Sequence, residues 1–466
     1  MDGRCDFVGV DVWMLFTNLL WREEFGVDPE MASRVAEEIA GDDGCDQVIL
    51  DRLDTYICDL KEAQIRGGLH RFGEMPERQV LAETLVSLVR MPRGDSAADQ
   101  SIVQALAADL GLGDFDPLQC SGAPWNGPRP DRLAAASDAG WRTDHHTRTR
   151  LETLAAGLVA NSVLADTPID THELPKTAAL LDYVRTSLLP ALERGIADEL
   201  RHTLAGLSGR FVPPGPSGAP TRGRLDTLPT GRNFYAVDSR AIPTRTAWAL
   251  GERSAEAVIA RHLQDHGDYP RELGLSVWGT ATMRTGGDDI AQAFALMGIR
   301  PVWAGGSNRV VDFEILPAFQ LGRPRVDVTL RVSGFFRDAF ANLIRLFDAA
   351  VEALADFDEP GNTNTVRQNI VAREADLQAD GQTAEAAARQ ARYRVFGASP
   401  GAYGAGLSEL IEQGAWQDKT DLANAYIQRG GHAYGQNAYG EPAHAAFVDR
   451  LGRLEGVIQN QDNREH

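Results

Sequence analysis

Residues 1–210 carry apolar side chains at the three- and four-residue spacing that places them on one face of an α-helix. Leu81, Leu85 and Leu88 form one such set, and similar sets recur as far as Leu192. A glycine pair that follows an earlier set is typical of a helix C-terminus. The pattern therefore predicts a mainly helical region.

Two polar stretches interrupt this pattern. The first runs from Asp114 to His146, and we expect it to be a long surface connection in which the tandem His145-His146 is solvated. The second, residues 211–233, holds five prolines and four glycines in 23 residues. Proline lacks the backbone donor that a helix interior or a central strand needs. The second stretch is therefore predicted to be an arm or linker at a domain boundary.

Residues 234–358 show a different periodicity, in which short apolar runs alternate with helical patterns. The run from Val326 to Val332 alternates apolar and polar residues, which is the period of a β-strand. Strands that alternate with helices predict an open α/β sheet. The predicted strands lie near residues 273–278, 301–303, 310–316 and 326–332, and the predicted helices near 290–297 and 335–354.

Residues 359–466 return to a helical pattern, with a run rich in Ala, Gln and Arg from Thr365 to Arg394. The fold class predicted for the whole chain is mixed α and α/β. It consists of a mostly helical N-terminal block, an open α/β sheet domain in the middle and a helical C-terminal segment.

The charge balance excludes several classes of partner. The chain has 46 basic and 66 acidic residues and a formal net charge of −20. Proteins that bind nucleic acid or an anionic membrane need a basic face, so neither partner is expected. The most apolar stretch, Val12 to Trp21, is too short to span a bilayer. No secretion signal or paired CxxC motif is present, and we expect a cytoplasmic location with reduced thiols at Cys5, Cys45, Cys58 and Cys120.

Candidate ligand-binding residues follow two of the predicted strands. In open α/β sheets, ligands bind beyond the carboxyl ends of the strands. Trp278, Thr280 and Arg284 follow the first of these strands, and Arg337 and Asp338 follow the second. Arginine can hold a carboxylate through two parallel hydrogen bonds. The alternative is that Arg337 is a surface residue and that Asp338 only complements the dipole of its helix.

A second candidate site contains Glu62 and His70, in the segment KEAQIRGGLHRFGE. A carboxylate and an imidazole that lie close together can bind a divalent cation or accept protons. The alternative is a surface pair between Glu62 and Arg66, four residues apart on one helix, with a partly buried His70.

The chain has no nucleotide-binding P-loop. Its glycine-rich loop, Gly397–Gly406, lacks the Gly-Lys-Ser/Thr ending that such a loop requires. Lys176-Thr177 and Lys419-Thr420 follow Pro175 and Asp418 instead of glycine. Any ATP hydrolysis by this mechanism must therefore take place on another protein.

Several long segments resemble the large-subunit family that cobaltochelatase and magnesium chelatase share. These segments are the proline- and glycine-rich stretch, LSVWGTATMRTGGDDIAQAFALMGIRPVW, LGRPRVDVTLRVSGFFRDAF and the terminal QNQDNRE. The resemblance covers most of residues 50–466. KEAQIRGGLH, QNQDNRE and the run from Met283 to Asp289 are more similar to the cobaltochelatase branch.

The resemblance implies a function. The family's large subunit binds a tetrapyrrole and a metal ion, and two smaller subunits, one of them an AAA+ ATPase, hydrolyse ATP with Mg²⁺. Cobaltochelatase inserts Co²⁺ into hydrogenobyrinic acid a,c-diamide during aerobic cobalamin biosynthesis. By resemblance, Glu62 and His70 deliver the metal or accept protons. Trp278, Thr280, Arg284, Arg337 and Asp338 are expected to contact the tetrapyrrole.

The family's large subunit is much longer than this chain, which the resemblance therefore implies to be a portion of it. Two alternatives stay open. The first is a magnesium chelatase large subunit that acts on protoporphyrin IX. The second is a non-catalytic fragment that docks the ATPase partners.

Overall fold

A computed structural model describes residues 71–460, except positions 95, 121, 166, 169–171, 236, 306–307, 360–362, 408–409 and 412. Glu62 and His70 lie outside the described residues. Among the helices that are described, none combines the length and hydropathy that a membrane span requires.

The N-terminal part is helical, as its periodicity predicts. Leu81, Leu85 and Leu88 are buried against helices from further along the chain, and the apolar residues of this part form one core. Burial of these apolar faces is what stabilises short helices of this kind. The helices are α1 (Arg78–Leu88), α2 (Ile102–Asp109), α3 (Asp131–Ala134), α4 (Asp144–Leu158), α5 (Pro175–Tyr183) and α6 (Leu189–Leu207), with π-helical turns at Val159–Val163 and Val184–Leu188.

The polar stretch between α2 and α4 is more ordered than expected. It contains α3 and the buried side chains of Trp125 and Leu133. His145 and His146 belong to the first turn of α4, so the expectation that they lie in a loop is wrong. The Thr143 hydroxyl accepts a hydrogen bond from the His146 N–H, and the His146 imidazole accepts one from the Thr143 N–H. This is a capping box in which histidine replaces the usual Glu or Gln.

The proline- and glycine-rich stretch packs against the rest of the protein. It forms a two-stranded parallel sheet from β1 (Pro214–Pro216) and β2 (Asn233–Tyr235). The side chains of Arg224, Thr227 and Leu228 are buried. Arg224 donates a hydrogen bond to the Met283 carbonyl, which attaches this stretch to the α/β region.

The α/β region is built on a six-stranded sheet. Four strands are parallel neighbours, in the order β10 (Gly456–Ile458), β3 (Glu272–Val277), β6 (Asp327–Val332) and β7 (Val395–Gly397). Two more, β8 (His432–Tyr434) and β9 (Tyr439–Pro442), continue the sheet in antiparallel pairing. The elements up to residue 356 are α7 (Arg245–His266), β3 (Glu272–Val277), α8 (Gly279–Thr285), α9 (Asp288–Met297), β4 (Ile299–Trp303), β5 (Val310–Ile315), α10 (Ala318–Leu321), β6 (Asp327–Val332), α11 (Gly334–Ala339) and α12 (Ala341–Asp356).

Two predicted features of this region differ in the structure. β4 and β5 form their own antiparallel pair and do not join the main sheet. The long helix expected over residues 335–354 is two helices, because the backbone at Phe340 leaves the helical conformation. Phe340 is fully buried and stacks on Phe336, so the break occurs where the chain turns into the core.

The C-terminal segment is only partly helical. It supplies four of the six strands of the main sheet, so the prediction of a helical C-terminal segment is only partly correct. Three of these strands have only three residues, which is too short to show a periodic pattern. The elements are α13 (Thr365–Ala379), α14 (Ala384–Ala391), β7 (Val395–Gly397), α15 (Lys419–Gly430), β8 (His432–Tyr434), β9 (Tyr439–Pro442), α16 (His444–Arg453) and β10 (Gly456–Ile458).

A buried charge network lies at the amino end of the sheet. Asp327, the first residue of β6, is fully buried and accepts paired hydrogen bonds from Arg394 (2.6 and 3.0 Å) and Arg450 (2.8 and 3.0 Å). Asn369 donates a further bond of 2.9 Å. Burial alone raises the pKa of Asp327, but the charges of the two arginines outweigh it and hold the pKa well below its usual range. The network joins β6 to the C-terminal segment.

Candidate functional site at the carboxyl edge of the sheet

The two strand ends singled out in the sequence are neighbours. β3 and β6 pair in parallel, with Val277 opposite Val332, so the chain leaves both strands at the same edge of the sheet. Ser333 connects them. Its N–H donates to the Val277 carbonyl at 2.9 Å, and its hydroxyl accepts from the N–H groups of Gly279 and Phe336, both at 3.1 Å. One serine therefore caps α11 and also fixes the start of α8.

Gly279 allows the two helices to start in close contact. A Cβ atom at this position would lie 2.6 Å from the Phe335 Cδ1 atom and 2.7 Å from the Phe336 nitrogen. Trp278 and Thr280, on either side of it, have exposed side chains. These contacts place the Trp278 and Phe335 side chains at the same edge of the sheet.

Arg284 lies in the last turn of α8 and is half-buried. Its carbonyl accepts a hydrogen bond from the Ala219 N–H at 3.1 Å. Part of the proline- and glycine-rich stretch therefore lies alongside this helix. The prediction that the Arg284 guanidinium contacts a ligand stays a prediction.

Arg337 has a different environment from the one that the sequence suggested. Its guanidinium is fully buried and donates to the carbonyls of Ala398, Ser399 and Ala402 at 3.1, 2.8 and 3.0 Å. It also forms a two-bond pair with Asp338 at 2.6 and 2.8 Å. These contacts hold the glycine-rich loop against the carboxyl edge of the sheet.

Asp338 and Tyr403 complete this support. The Asp338 carboxylate is exposed on one side and accepts a hydrogen bond from the Tyr403 hydroxyl at 2.7 Å. The hydrogen bond from Arg337 lowers the pKa of Asp338, so this carboxylate stays charged at neutral pH. The Tyr403 ring also covers the Arg337 guanidinium, whose central carbon lies 5.5 Å from the ring centroid.

Three aromatic side chains at this edge are open to solvent. Trp278 is 46% exposed, Phe335 37% and Tyr403 57%. Exposed aromatic rings near polar groups are typical of a surface that binds a ligand with a flat apolar face. The chemistry that this edge can perform is therefore binding and orientation of a planar ligand.

Ser333, Phe335 and Tyr403 are not among the site residues predicted from the sequence. Ser333 has a recognisable signal, since a serine that follows a strand and precedes a helix is a common N-cap. Tyr403 has none, because only the folded chain brings the glycine-rich loop beside α11. Glu62 and His70 lie outside the described residues, so their predicted role stays a prediction.

The chain is a member of a known protein family. Residues 15–466 match the family model described as CobN/Magnesium Chelatase, and the chain belongs to that family. This agrees with the resemblance found in the sequence and with the mixed α and α/β fold.

The relatives distinguish two branches of the family. An aerobic cobaltochelatase subunit CobN from Pseudomonas aeruginosa is 54% identical over 419 residues, which is 90% of this chain and 33% of the relative. The H-type subunit of magnesium chelatase from Chlorobaculum parvum is 33% identical over 270 residues, which is 58% of this chain and 20% of the relative. The chain thus spans about a third of the length of the more similar relative.

A solved structure has the same fold. The catalytic subunit of cobaltochelatase from Mycobacterium tuberculosis superposes with a TM-score of 0.64 at 35% sequence identity. The match covers all of this chain and 36% of that one.

Proposed function

We propose that this chain is a portion of the large, tetrapyrrole- and metal-binding subunit of an ATP-dependent cobaltochelatase. The reaction is insertion of Co²⁺ into hydrogenobyrinic acid a,c-diamide, in the aerobic route to cobalamin. The observation that carries this proposal is the difference between the sequence identities to the two branches of the family. The chain is 54% identical to a cobaltochelatase subunit over 90% of its length, but 33% identical to a magnesium chelatase subunit over 58%.

The carboxyl edge of the sheet fits a role in holding the macrocycle. A tetrapyrrole is flat and largely apolar, and the exposed rings of Trp278, Phe335 and Tyr403 offer matching faces. Thr280 and Arg284 lie on the adjoining helix and supply a hydroxyl and a cation for the amide and carboxylate groups of the macrocycle. Arg337 and Asp338 act at this site by fixing the loop that carries Tyr403.

Metal insertion makes further demands. Two N–H protons must leave the macrocycle as Co²⁺ enters, so the reaction needs a proton acceptor. The ion must also exchange water for ligands that later release it. We propose Glu62 and His70 for these steps, because a carboxylate and an imidazole both accept protons and bind divalent ions. This assignment rests on the sequence resemblance alone.

ATP hydrolysis belongs to other subunits in this proposal. The chain has no P-loop, so we propose that two smaller subunits, including an AAA+ ATPase with its Mg²⁺, drive the reaction. We propose that the complex works in the cytoplasm.

The first test is a spectroscopic titration of the chain with hydrogenobyrinic acid a,c-diamide. We expect the absorption spectrum of the macrocycle to shift on binding. Trp278→Ala should weaken binding about tenfold, the loss of about 1.4 kcal/mol that a central aromatic contact causes. The matched control is Phe319→Ala, because Phe319 is 88% exposed but lies in α10, which precedes β6 instead of following its carboxyl end.

Other results would favour one of the two alternatives or contradict the proposal. Tighter binding of protoporphyrin IX would favour the magnesium branch. Co-purification with the ATPase subunits in the absence of macrocycle binding would indicate a docking fragment. Binding of neither macrocycle would contradict the proposal.

The second test addresses Glu62 and His70 in a reconstituted full-length complex. Glu62→Gln and His70→Ala should each lower the rate of Co²⁺ insertion and leave macrocycle affinity unchanged. If insertion proceeds at the unaltered rate, both residues have a structural role.

A further inference from the structure

Three side chains of different chemistry converge in the helical N-terminal part of the protein. The Cys120 sulfur, a carboxylate oxygen of Asp144 and an imidazole nitrogen of His145 all lie within 4.8 Å of one another. The ligand atoms of a tetrahedral ion with bonds of 2.0–2.3 Å are about 3.3–3.8 Å apart.

The fold holds these residues together by main-chain contacts. Pro124 and Thr143 form an isolated β-bridge, which joins two segments that are distant along the chain. The Trp125 N–H donates to the Arg142 carbonyl at 2.8 Å, and the Asp144 N–H donates to the Ala123 carbonyl at 3.0 Å. The site is therefore fixed by the backbone on both sides.

Asp144 and His145 are positioned by the start of α4. The Asp144 carboxylate accepts hydrogen bonds from the N–H groups of Gly122 (2.9 Å) and His145 (2.6 Å). A carboxylate has about four lone-pair sites, so it can accept these bonds and also coordinate an ion. Asp144 is 8% exposed, Cys120 is partly exposed and His145 is exposed, which gives an ion a path from solvent.

We propose that Cys120, Asp144 and His145 bind a divalent transition-metal ion of intermediate softness, Co²⁺ or Zn²⁺, and leave one coordination position open. A thiolate and an imidazole favour these ions over Mg²⁺ and Ca²⁺, which prefer oxygen ligands. Three protein ligands with one open position are typical of sites where the ion exchanges water or a second ligand.

Two cations lie near the Cys120 sulfur. Arg148 and Arg253 favour the thiolate form that binds an ion, while Asp144 and Asp116 oppose it.

The test is an anaerobic titration of the reduced, metal-free chain with Co²⁺ alone. We expect a sulfur-to-cobalt charge-transfer band and the visible bands of a four-coordinate site. Cys120→Ser should abolish the charge-transfer band. Asp144→Asn and His145→Gln should each weaken binding at least about 100-fold, the upper end of the loss seen when only an outer-shell partner is removed.

Two matched controls separate this site from adventitious binding. His146→Ala removes the neighbouring imidazole, which faces the Arg142 and Thr143 N–H groups, and should leave the band intact. Cys45→Ser removes another thiol of the same chain and should also leave it intact. A charge-transfer band that survives Cys120→Ser would overturn the proposal.

A measurement on the unaltered chain avoids any question of folding. Zn²⁺ should protect Cys120 from alkylation at neutral pH, as read by peptide mass spectrometry. Equal alkylation of Cys120 with and without Zn²⁺ would also overturn the proposal. Competition between Zn²⁺ and Co²⁺ for the band then identifies the preferred ion.

Discussion

Replacing Asp327 by asparagine tests whether the buried charge network holds the sheet together. The carboxylate accepts four hydrogen bonds from Arg394 and Arg450, and both guanidiniums are almost completely buried. Asparagine keeps the shape but removes the charge and one of the two acceptor oxygens. Glu272 then remains the nearest negative charge, 3.0 Å from Arg450. Breaking one side of a buried ion pair costs about 3–5 kcal/mol, and we expect Asp327→Asn to fall in this range.

Native-state hydrogen exchange of the β6 amides measures this loss locally. It reports the free energy of opening without requiring that the whole chain unfold in one step. The matched control is Asp265→Asn, which also removes a carboxylate paired with an arginine. The Arg261–Asp265 pair lies on the exposed surface of α7, where such a pair contributes about 0.3–0.5 kcal/mol.

The same network predicts how stability depends on pH. The folded pKa of Asp327 lies below the unfolded value of about 3.9. The contribution of Asp327 to the free energy of unfolding is therefore fully present above the unfolded pKa and is lost as the pH falls through the folded pKa. As the pH falls below 4, the free energy of unfolding should decrease more steeply for the unaltered chain than for Asp327→Asn.

The hydrogen-exchange comparison has a clear refuting outcome. If Asp327→Asn lowers the free energy of opening no more than Asp265→Asn does, the reasoning is wrong.

Two further substitutions test the carboxyl edge of the sheet. Arg337→Lys removes the guanidinium group that holds residues 398–404. The amides of that loop should exchange hydrogen about 10- to 100-fold faster, because a hydrogen bond to a charged group contributes about 1.5–3 kcal/mol. Arg345→Lys, on the exposed side of α12, is the control and should leave the loop unchanged. Ser333→Ala leaves two backbone N–H groups without their acceptor and should destabilise the protein by about 1–3 kcal/mol in urea denaturation. Ser87→Ala removes only a donor and should cost about 0.5 kcal/mol or less.

The sequence predicted the parts of the fold that have long periodic patterns. The strand that ends at Val277, the helix that ends before Gly298 and the alternating strand from Asp327 to Val332 are all present. The alternation in that last strand is typical of a sheet with one buried and one solvated face, but Asp327 and Thr329 are buried. Both faces of the strand are covered, and arginines from distant segments compensate the buried charge.

The candidate site was predictable in position but not in detail. That Trp278 and Arg337 each follow a strand could be inferred from the periodicity, and ligands in open sheets usually bind beyond such strand ends. The burial of Arg337 could not, because its three carbonyl partners lie some 60 residues further along the chain. The first turn of α4 was missed because a histidine completes its capping box.

The position of β10 has a consequence for synthesis of the chain. One edge of β3 pairs with β6. The other edge stays unpaired until β10 is synthesised, about 180 residues later. A ribosome that adds about 5–20 residues per second needs about 10–35 s to cover that distance. During this interval the edge of β3 is a template for strand pairing with another chain. Neighbouring nascent chains on the same polysome are the nearest wrong partners, so the last of the described strands to be made protects the free edge of β3.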